Sequence, residues 1–164
     1  LDSRLPSLRR LSKFLDGSEL DGDERIINYF VWTSKKDLIN LFSKEAFRTI
    51  KDSNPLTPMR RHLKQINHYD SFDKMLSLEQ RFFLSDHNLL YTDKMSMSEG
   101  VEVRVPLLDR EILEFAERIP NNWKQKGLTG KWIFKKAMES YLPKEIIYRP
   151  KSGFGVPLRK WINN

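Results

Sequence analysis

The sequence predicts a mainly α fold with one or two short extended segments. Three observations carry that expectation. Apolar residues recur at helical spacing in one stretch after another. Most of these stretches are bounded by Ser, Asp, Gly or Pro, the residues that start and stop helices. Strict alternation of apolar and charged residues is confined to Val101-Glu102-Val103-Arg104-Val105.

Along the chain, Leu5, Leu8, Leu11, Phe14 and Leu15 predict a short helix in an otherwise turn-rich opening with Pro6, Gly17 and Gly22. Asp21 and Asp23 precede the run from Glu24 to Val31, where acids suit the positive end of a helix. Ser34 with Asp37 resembles a capping box, and Leu38, Leu41, Phe42, Ala46 and Phe47 form a helical stripe that reads as plain core. Residues 52–58, with two prolines and Asn54, read as a loop. His62 and His68 have no third metal ligand at a useful spacing and read as solvated surface histidines. Ser71 is expected to open a helix carrying Phe72, Met75, Leu76, Phe82, Phe83 and Leu84, and Asp86 to cap the next, with Leu89, Leu90, Met95 and Met97. Gly100 ends that helix, because glycine accepts the left-handed conformation without penalty.

The alternating segment after Gly100 puts Glu102 and Arg104 on one face and three valines on the other. Asp109 is the expected cap of a helix over residues 110–118, with Ile112, Leu113, Phe115, Ala116 and Ile119 apolar and Pro120 ending it. Residues 127–130 form a turn, and residues 131–142 a helix with Trp132, Ile133, Phe134, Ala137, Met138 and Tyr141 for packing. Pro143 opens a short turn over residues 144–148.

At 164 residues the chain is the size of one domain and can bury a core without metal or disulfide staples. The absence of cysteine rules out disulfides, thiolate metal sites and cysteine nucleophiles, and suits a reducing, cytoplasmic setting. No apolar run approaches the roughly 18 residues of a membrane helix and no signal-peptide pattern opens the chain, so no membrane partner is expected. The chain starts at Leu1 and stops just after Trp161-Ile162 in an amphipathic segment, which reads as a fragment or a processed piece. Its net charge of +7 points to anionic partners: nucleic acid, a membrane surface and a nucleotide or pyrophosphate all fit that sign, and a basic surface with no anion site carries it too. The cations are scattered, with clusters at Arg9-Arg10, Arg60-Arg61, Lys135-Lys136 and Arg149 to Lys151, and no nucleic-acid-binding pattern accompanies them. Nucleic acid is therefore not an expected partner.

Two constellations stand out. In the stretch from Asp86 to Asp109, charges of both signs lie among apolar residues, so several are expected inside the fold, lining a functional cavity. Asp93 and Lys94 point in different directions on a helix, whereas Glu102 and Arg104 share a face and can form one half-buried pair, structural or catalytic. The second constellation is Arg149-Pro150-Lys151-Ser152-Gly153-Phe154-Gly155. Its glycines let backbone N–H groups approach a phosphate and its cations supply charge, although an ordinary basic turn has the same composition. There is no Walker A loop, Ser-His-Asp arrangement, HExxH helix or Rossmann turn.

Taken together, Leu89-Leu90-x-x-Asp93-Lys94-Met95-Ser96-Met97 followed by Glu102-Val103-Arg104-Val105-Pro106-Leu107-Leu108-Asp109 resembles the pattern LLxxDRMSMAxxLExRxPFLD of glutamine-hydrolysing asparagine synthetases. Leu113-x-Phe115-Ala116, Pro120, Gly130-Lys131, Ala137, Leu142-Pro143, Ile146 and Arg149-x-Lys151-x-Gly153-Phe154 continue it in order. The likeness covers residues 70–162, while residues 1–69 fit only loosely. Lys94 replaces the commoner arginine, Leu107 replaces phenylalanine, and Ser98-Glu99-Gly100 stands where small residues and histidine are frequent.

The resemblance implies the helical C-terminal portion of an adenine-nucleotide-hydrolase-like α/β synthetase domain, spanning residues 1–164. It implies ATP-dependent adenylation of the aspartate side chain, then amidation by ammonia from a glutaminase domain, with release of AMP and pyrophosphate. Lys151 matches the lysine that binds the leaving pyrophosphate, Arg149 and Gly153 shape that loop, and Asp93, Glu102 and Arg104 fall near the ammonia route and the intermediate. The family's SGGxDSS loop, its SGxGxDExFxGY segment and its glutaminase domain are absent from this sequence. ATP and Mg2+ are therefore expected to bind mainly through the missing half, on which this chain would pack. Alone, the chain should be inactive and expose a large apolar patch. The alternatives are a relative acting on a β-lactam or sugar-acid carboxylate, or a non-catalytic helical module binding anions or a partner.

Overall fold

Four helices start at a capping side chain, that of Ser34, Ser43, Asp70 or Asp109, which accepts a hydrogen bond from a backbone N–H of the first turn. The computed structural model describes residues 15, 17–150 and 161–162 and is mainly helical, as expected. The chain divides into two units, Leu1–Arg104 and Val105–Asn164. The helix expected from Leu5 to Leu15 lies, apart from Leu15, outside the described residues.

The first unit runs α1 (Gly22–Asn28), α2 (Lys35–Leu41), α3 (Lys44–Ile50), α4 (Thr57–Gln65), α5 (Ser71–Leu78), a π-helical segment (Glu79–Leu89) and α6 (Leu90–Ser98). Its core is where α1, α4 and α5 meet. Ile26, Ile27, Leu63 and Leu78 are buried there, with Phe30, Leu56, Met59, Ile66, Met75 and Phe82 packed around them. Each fully buried aliphatic side chain is worth about 1.5–3 kcal/mol. Two ion pairs tie α1 to its neighbours: Arg60 on α4 holds Glu24 through two hydrogen bonds of 2.6 and 2.8 Å, and Lys74 on α5 reaches Asp23 at 2.8 Å. The Arg60 hydrogen bond holds the Glu24 carboxyl below the usual carboxylate range.

The structure corrects several expectations. Ser34 does cap α2, accepting from the Asp37 N–H at 3.1 Å and donating to its carboxylate at 2.6 Å. The stripe beyond it is broken, however: Phe42 is extended (ψ 145°) and Ser43 caps a separate helix by accepting from the Ala46 N–H at 3.2 Å. Leu41 is 77% exposed and Phe42 45%, so the stripe is not plain core; neither α2 nor α3 contributes to the buried cluster. The cap of α5 is Asp70, which accepts from the Asp73 N–H at 2.8 Å, with Ser71 the first helical residue. Asp86 caps nothing, because α5 runs through the π segment into α6 without a break. His62 is half-buried rather than solvated: its Nε2 shares a 2.7 Å hydrogen bond with Ser77 Oγ and its ring meets Phe82 edge-on.

The π segment closes i→i+5 hydrogen bonds, a geometry usually limited to single turns. It carries an aromatic row. Phe83 and His87 stack with ring centroids 5.0 Å apart, Tyr91 comes next at 6.3 Å from His87, and Trp32 lies against both Phe83 and His87 at 5.9 and 5.8 Å.

The second unit begins with a 3-10 turn (Pro106–Leu108), then α7 (Arg110–Arg118), α8 (Asn121–Lys124), β1 (Gln125–Lys126), β2 (Thr129–Gly130), α9 (Trp132–Met138) and α10 (Lys144–Ile147). Asp109 caps α7 as expected, its Oδ1 accepting from the Glu111 N–H at 2.9 Å. The expected turn at residues 127–130 is an antiparallel hairpin pairing Gln125 with Gly130 and Lys126 with Thr129. Gly127 sits at its first turn position with φ +56°, where a side chain would be strained. The helix expected over residues 131–142 is shorter: it ends at Met138, leaving Tyr141 77% exposed. No described residue of this unit is buried.

Candidate functional site

The motif-bearing stretch starts on α6 and turns sharply at its end. Gly100, at φ +68°, lets its own N–H bond Met97 O at 3.1 Å and the Val101 N–H bond Ser96 O at 3.0 Å. This double closure, the Schellman arrangement, satisfies two terminal carbonyls and fixes where the chain leaves the helix. Residues 101–105 continue without regular structure and without a partner strand among the described residues.

Glu102 and Arg104 form an ion pair, as their spacing anticipates. It is not half-buried: the side chains are 68% and 84% exposed. Asp93, Lys94 and Glu99 are exposed too, and no charged or polar side chain is buried among the described residues. The expectation of charges inside the fold is overturned, for a simple reason. Nothing described covers this stretch, and charges left in water incur no desolvation cost. The three valines of the alternating segment stay 43–56% exposed as well. An exposed pair of this kind contributes about 0–1 kcal/mol.

A hollow among the described residues is lined by side chains outside this stretch. That hollow, about 340 Å³ and open to solvent, lies in the second unit between Asn122, Trp123, Gln125, Lys126, Gly127 and Trp132. Trp123 and Trp132 meet edge to face at 5.8 Å, and the Lys126 ammonium sits over the Trp132 ring at 4.7 Å. The lysine thus occupies the aromatic face that a ligand would otherwise use.

Arg149 is exposed and belongs to the second unit, directly after α10. Lys151 and Gly153 lie outside the described residues. Of the sequence-predicted site residues, the structure therefore brings Glu102 and Arg104 together, and places Asp93 on α6 and Arg149 beyond α10. Sequence reasoning missed a network next to Arg149. Glu139 Oε1 accepts from Lys136 Nζ at 2.8 Å and from Tyr148 Oη at 2.6 Å. The i,i+3 spacing of Lys136 and Glu139 was legible as a helix-surface pair, but Tyr148 joins from the next helix and leaves no periodic trace. Among the described residues no three His, Asp or Glu side chains converge to hold a metal ion. No helix among them is long and apolar enough to cross a membrane.

Residues 4–164 match the family model described as asparagine synthase. The chain belongs to this family. It is 36% identical over 96 residues to asparagine synthetase [glutamine-hydrolyzing] 1 of Bacillus subtilis (strain 168), covering 58% of this chain and 15% of that protein. It is 34% identical over 94 residues to the putative asparagine synthetase [glutamine-hydrolyzing] of Mycobacterium tuberculosis (strain ATCC 25618 / H37Rv), covering 57% of this chain and 14% of that one. A shorter stretch of 62 residues is 42% identical to asparagine synthetase [glutamine-hydrolyzing] 3 of Bacillus subtilis, 38% of this chain and 10% of the relative. The chain thus spans 15% or less of the length of these curated relatives. No solved structure matches it. For an asparagine synthase family chain, exposure of the Glu102–Arg104 segment and of the second unit's apolar residues means that the motif residues sit on uncovered surface.

Proposed function

We propose that this chain is the helical C-terminal part of the synthetase domain of an ATP-dependent, glutamine-hydrolysing asparagine synthetase that works in the cytoplasm. The family match over residues 4–164 carries this reading. In the reaction, a β-carboxylate oxygen of aspartate attacks the α-phosphorus of ATP. A new P–O bond forms, the α–β anhydride bond breaks, and pyrophosphate leaves. Ammonia from a glutaminase domain then attacks the activated carbonyl carbon, AMP leaves with the bonding pair, and the extra proton is lost to give asparagine. Mg2+, held through the remainder of the domain, would neutralise charge on the phosphates.

This chain's own part is electrostatic. The Lys151 ammonium would meet negative charge as it builds on the departing pyrophosphate, where a preorganised cation favours the transition state over the ground state. Arg149 adds a second cation beside it, and Gly153 allows close backbone approach to phosphate oxygens. Glu102, Arg104 and Asp93 would face the acyl-adenylate and the incoming ammonia once the remainder of the domain covers them. The present exposure of the Glu102–Arg104 pair supports a surface that another part of the same protein closes.

The test uses the intact protein that contains this sequence. It is expected to form asparagine from aspartate, ATP and ammonia, with AMP and pyrophosphate in equal amounts. Lys151→Ala should lower turnover about 100- to 1000-fold with little change in melting temperature. A parallel loss of turnover and stability would assign Lys151 a structural role and overturn the proposed site. The 164-residue chain alone should make no asparagine.

A further inference from the structure

Tyr148 directly precedes Arg149, and its position is fixed from three sides. Its N–H bonds Lys144 O at 2.9 Å, closing the α10 turn. Its hydroxyl donates to Glu139 Oε1 at 2.6 Å, and the Lys135 ammonium lies 5.6 Å from its ring centroid. Glu139 is itself held: Lys136 Nζ donates to the same oxygen at 2.8 Å, and the carboxylate side chain is only 23% exposed. Hydrogen bonds first from Lys136 and then from Tyr148 keep the Glu139 carboxyl below its usual range, and the same carboxylate pushes the Tyr148 phenol up. Near neutral pH the pair is therefore an ionised acceptor and a neutral donor, the charge-assisted combination that gives the stronger hydrogen bonds.

The two residues after Tyr148 have little conformational freedom. Arg149 precedes a proline, which disfavours the helical region and leaves extended backbone. Pro150 has its φ set by its ring. A fixed anchor followed by two restricted residues gives the cationic segment a defined starting point.

We propose that Glu139 is a positioning residue: acting through Tyr148, it fixes the point from which Arg149 and the anion-handling segment depart. The inference rests on reading Arg149 and Lys151 as pyrophosphate contacts. Glu139 does not touch substrate; it restricts where the cations begin. Misplacing such a group by an ångström slows a reaction without removing any catalytic atom.

Two single variants and their double, made in the intact protein, test this. Glu139→Ala removes the acceptor, and Tyr148→Phe removes only the hydroxyl while keeping the ring. Each should lower kcat roughly tenfold with the KM for aspartate and the melting temperature nearly unchanged. The double variant should lose no more than the worse single, since both break one hydrogen bond. Amide exchange over residues 144–149 should rise several-fold in each variant, a readout that does not depend on turnover. Unchanged exchange, fully additive losses, or a kcat loss that tracks melting would each overturn the proposal. If the wild-type protein makes no asparagine from ammonia, the proposed function falls, and the exchange result still decides whether Glu139 anchors the segment.

Discussion

The two units differ in whether they close a buried apolar cluster and in their net charge. In the first, Ile27, Leu63 and Leu78 are at most 1% exposed where α1, α4 and α5 converge. In the second, no described residue is buried, Phe115 on α7 is 67% exposed and Leu128 in the hairpin is fully exposed. Charge divides the same way. The first unit has 17 Lys and Arg against 16 Asp and Glu, while the second has 12 against 6, so it holds +6 of the chain's +7. The first unit can close on itself, with salt bridges reaching across its core helices. The second presents apolar side chains and surplus cations together, which suits a surface that is covered by other protein and faces an anion.

The contrast can be broken or sharpened by mutation. Leu63→Ala should have the largest effect on stability, about 2–5 kcal/mol by denaturant titration, because a fully buried leucine leaves a cavity. A cost under about 1 kcal/mol would mean that the three-helix cluster does not hold the first unit.

Glu24→Gln should have a smaller and pH-dependent effect. Arg60 holds the Glu24 carboxyl below its ordinary range, so the folded state takes up this proton less readily than the unfolded chain. The stabilisation is fully present above the ordinary pKa of about 4.3 and fades as pH falls through the folded value. With the two side chains 46% and 34% exposed, solvent screening limits it to about 0.5–1 kcal/mol. Wild type and variant should differ at about pH 7, and the gap should close as the Glu24 carboxyl takes up its proton in acid; a gap that stays constant as pH falls would remove the ion pair as its cause.

Phe115→Ala should have the smallest effect, within about 0.5 kcal/mol in this chain by itself. In the intact protein the same change should cost about 3 kcal/mol or more if α7 is covered there. Equal costs in the two settings would dissolve the distinction between the units.

Much of the helical layout was legible in the sequence because caps are local. Ser34, Asp109 and Gly100 each act within a few residues of their own position, and each behaves as its neighbours dictate. The misreadings came from assuming that apolar spacing implies burial. Leu41 and Phe42 sit at helical spacing, yet the cluster they would join is completed by α1, α4 and α5. Asp86 looks like a cap by composition, but the helix runs through it because i→i+5 bonding keeps the backbone paired. The Glu102–Arg104 pair was legible as a pair, whereas its exposure was not, since burial depends on what lies opposite rather than on the pair itself. Tyr148 was invisible as a partner of Glu139 because that contact depends on how two helices turn back on each other.

The π segment bears on how the motif residues behind it can be rearranged. A hydrogen bond that reaches five residues back instead of four gathers one additional residue into each loop. Loss of a single residue between Glu79 and Leu89 would therefore be absorbed by relaxing into ordinary α geometry, without breaking the rod. The outlet at Gly100 would then keep its bearing around the helix axis, because closing a wide turn removes only the residue that the turn accommodates. This segment is thus a buffer: a one-residue loss beyond Phe82, which ties its first turn to the α1–α4–α5 cluster, can be taken up before the motif residues downstream are re-aimed.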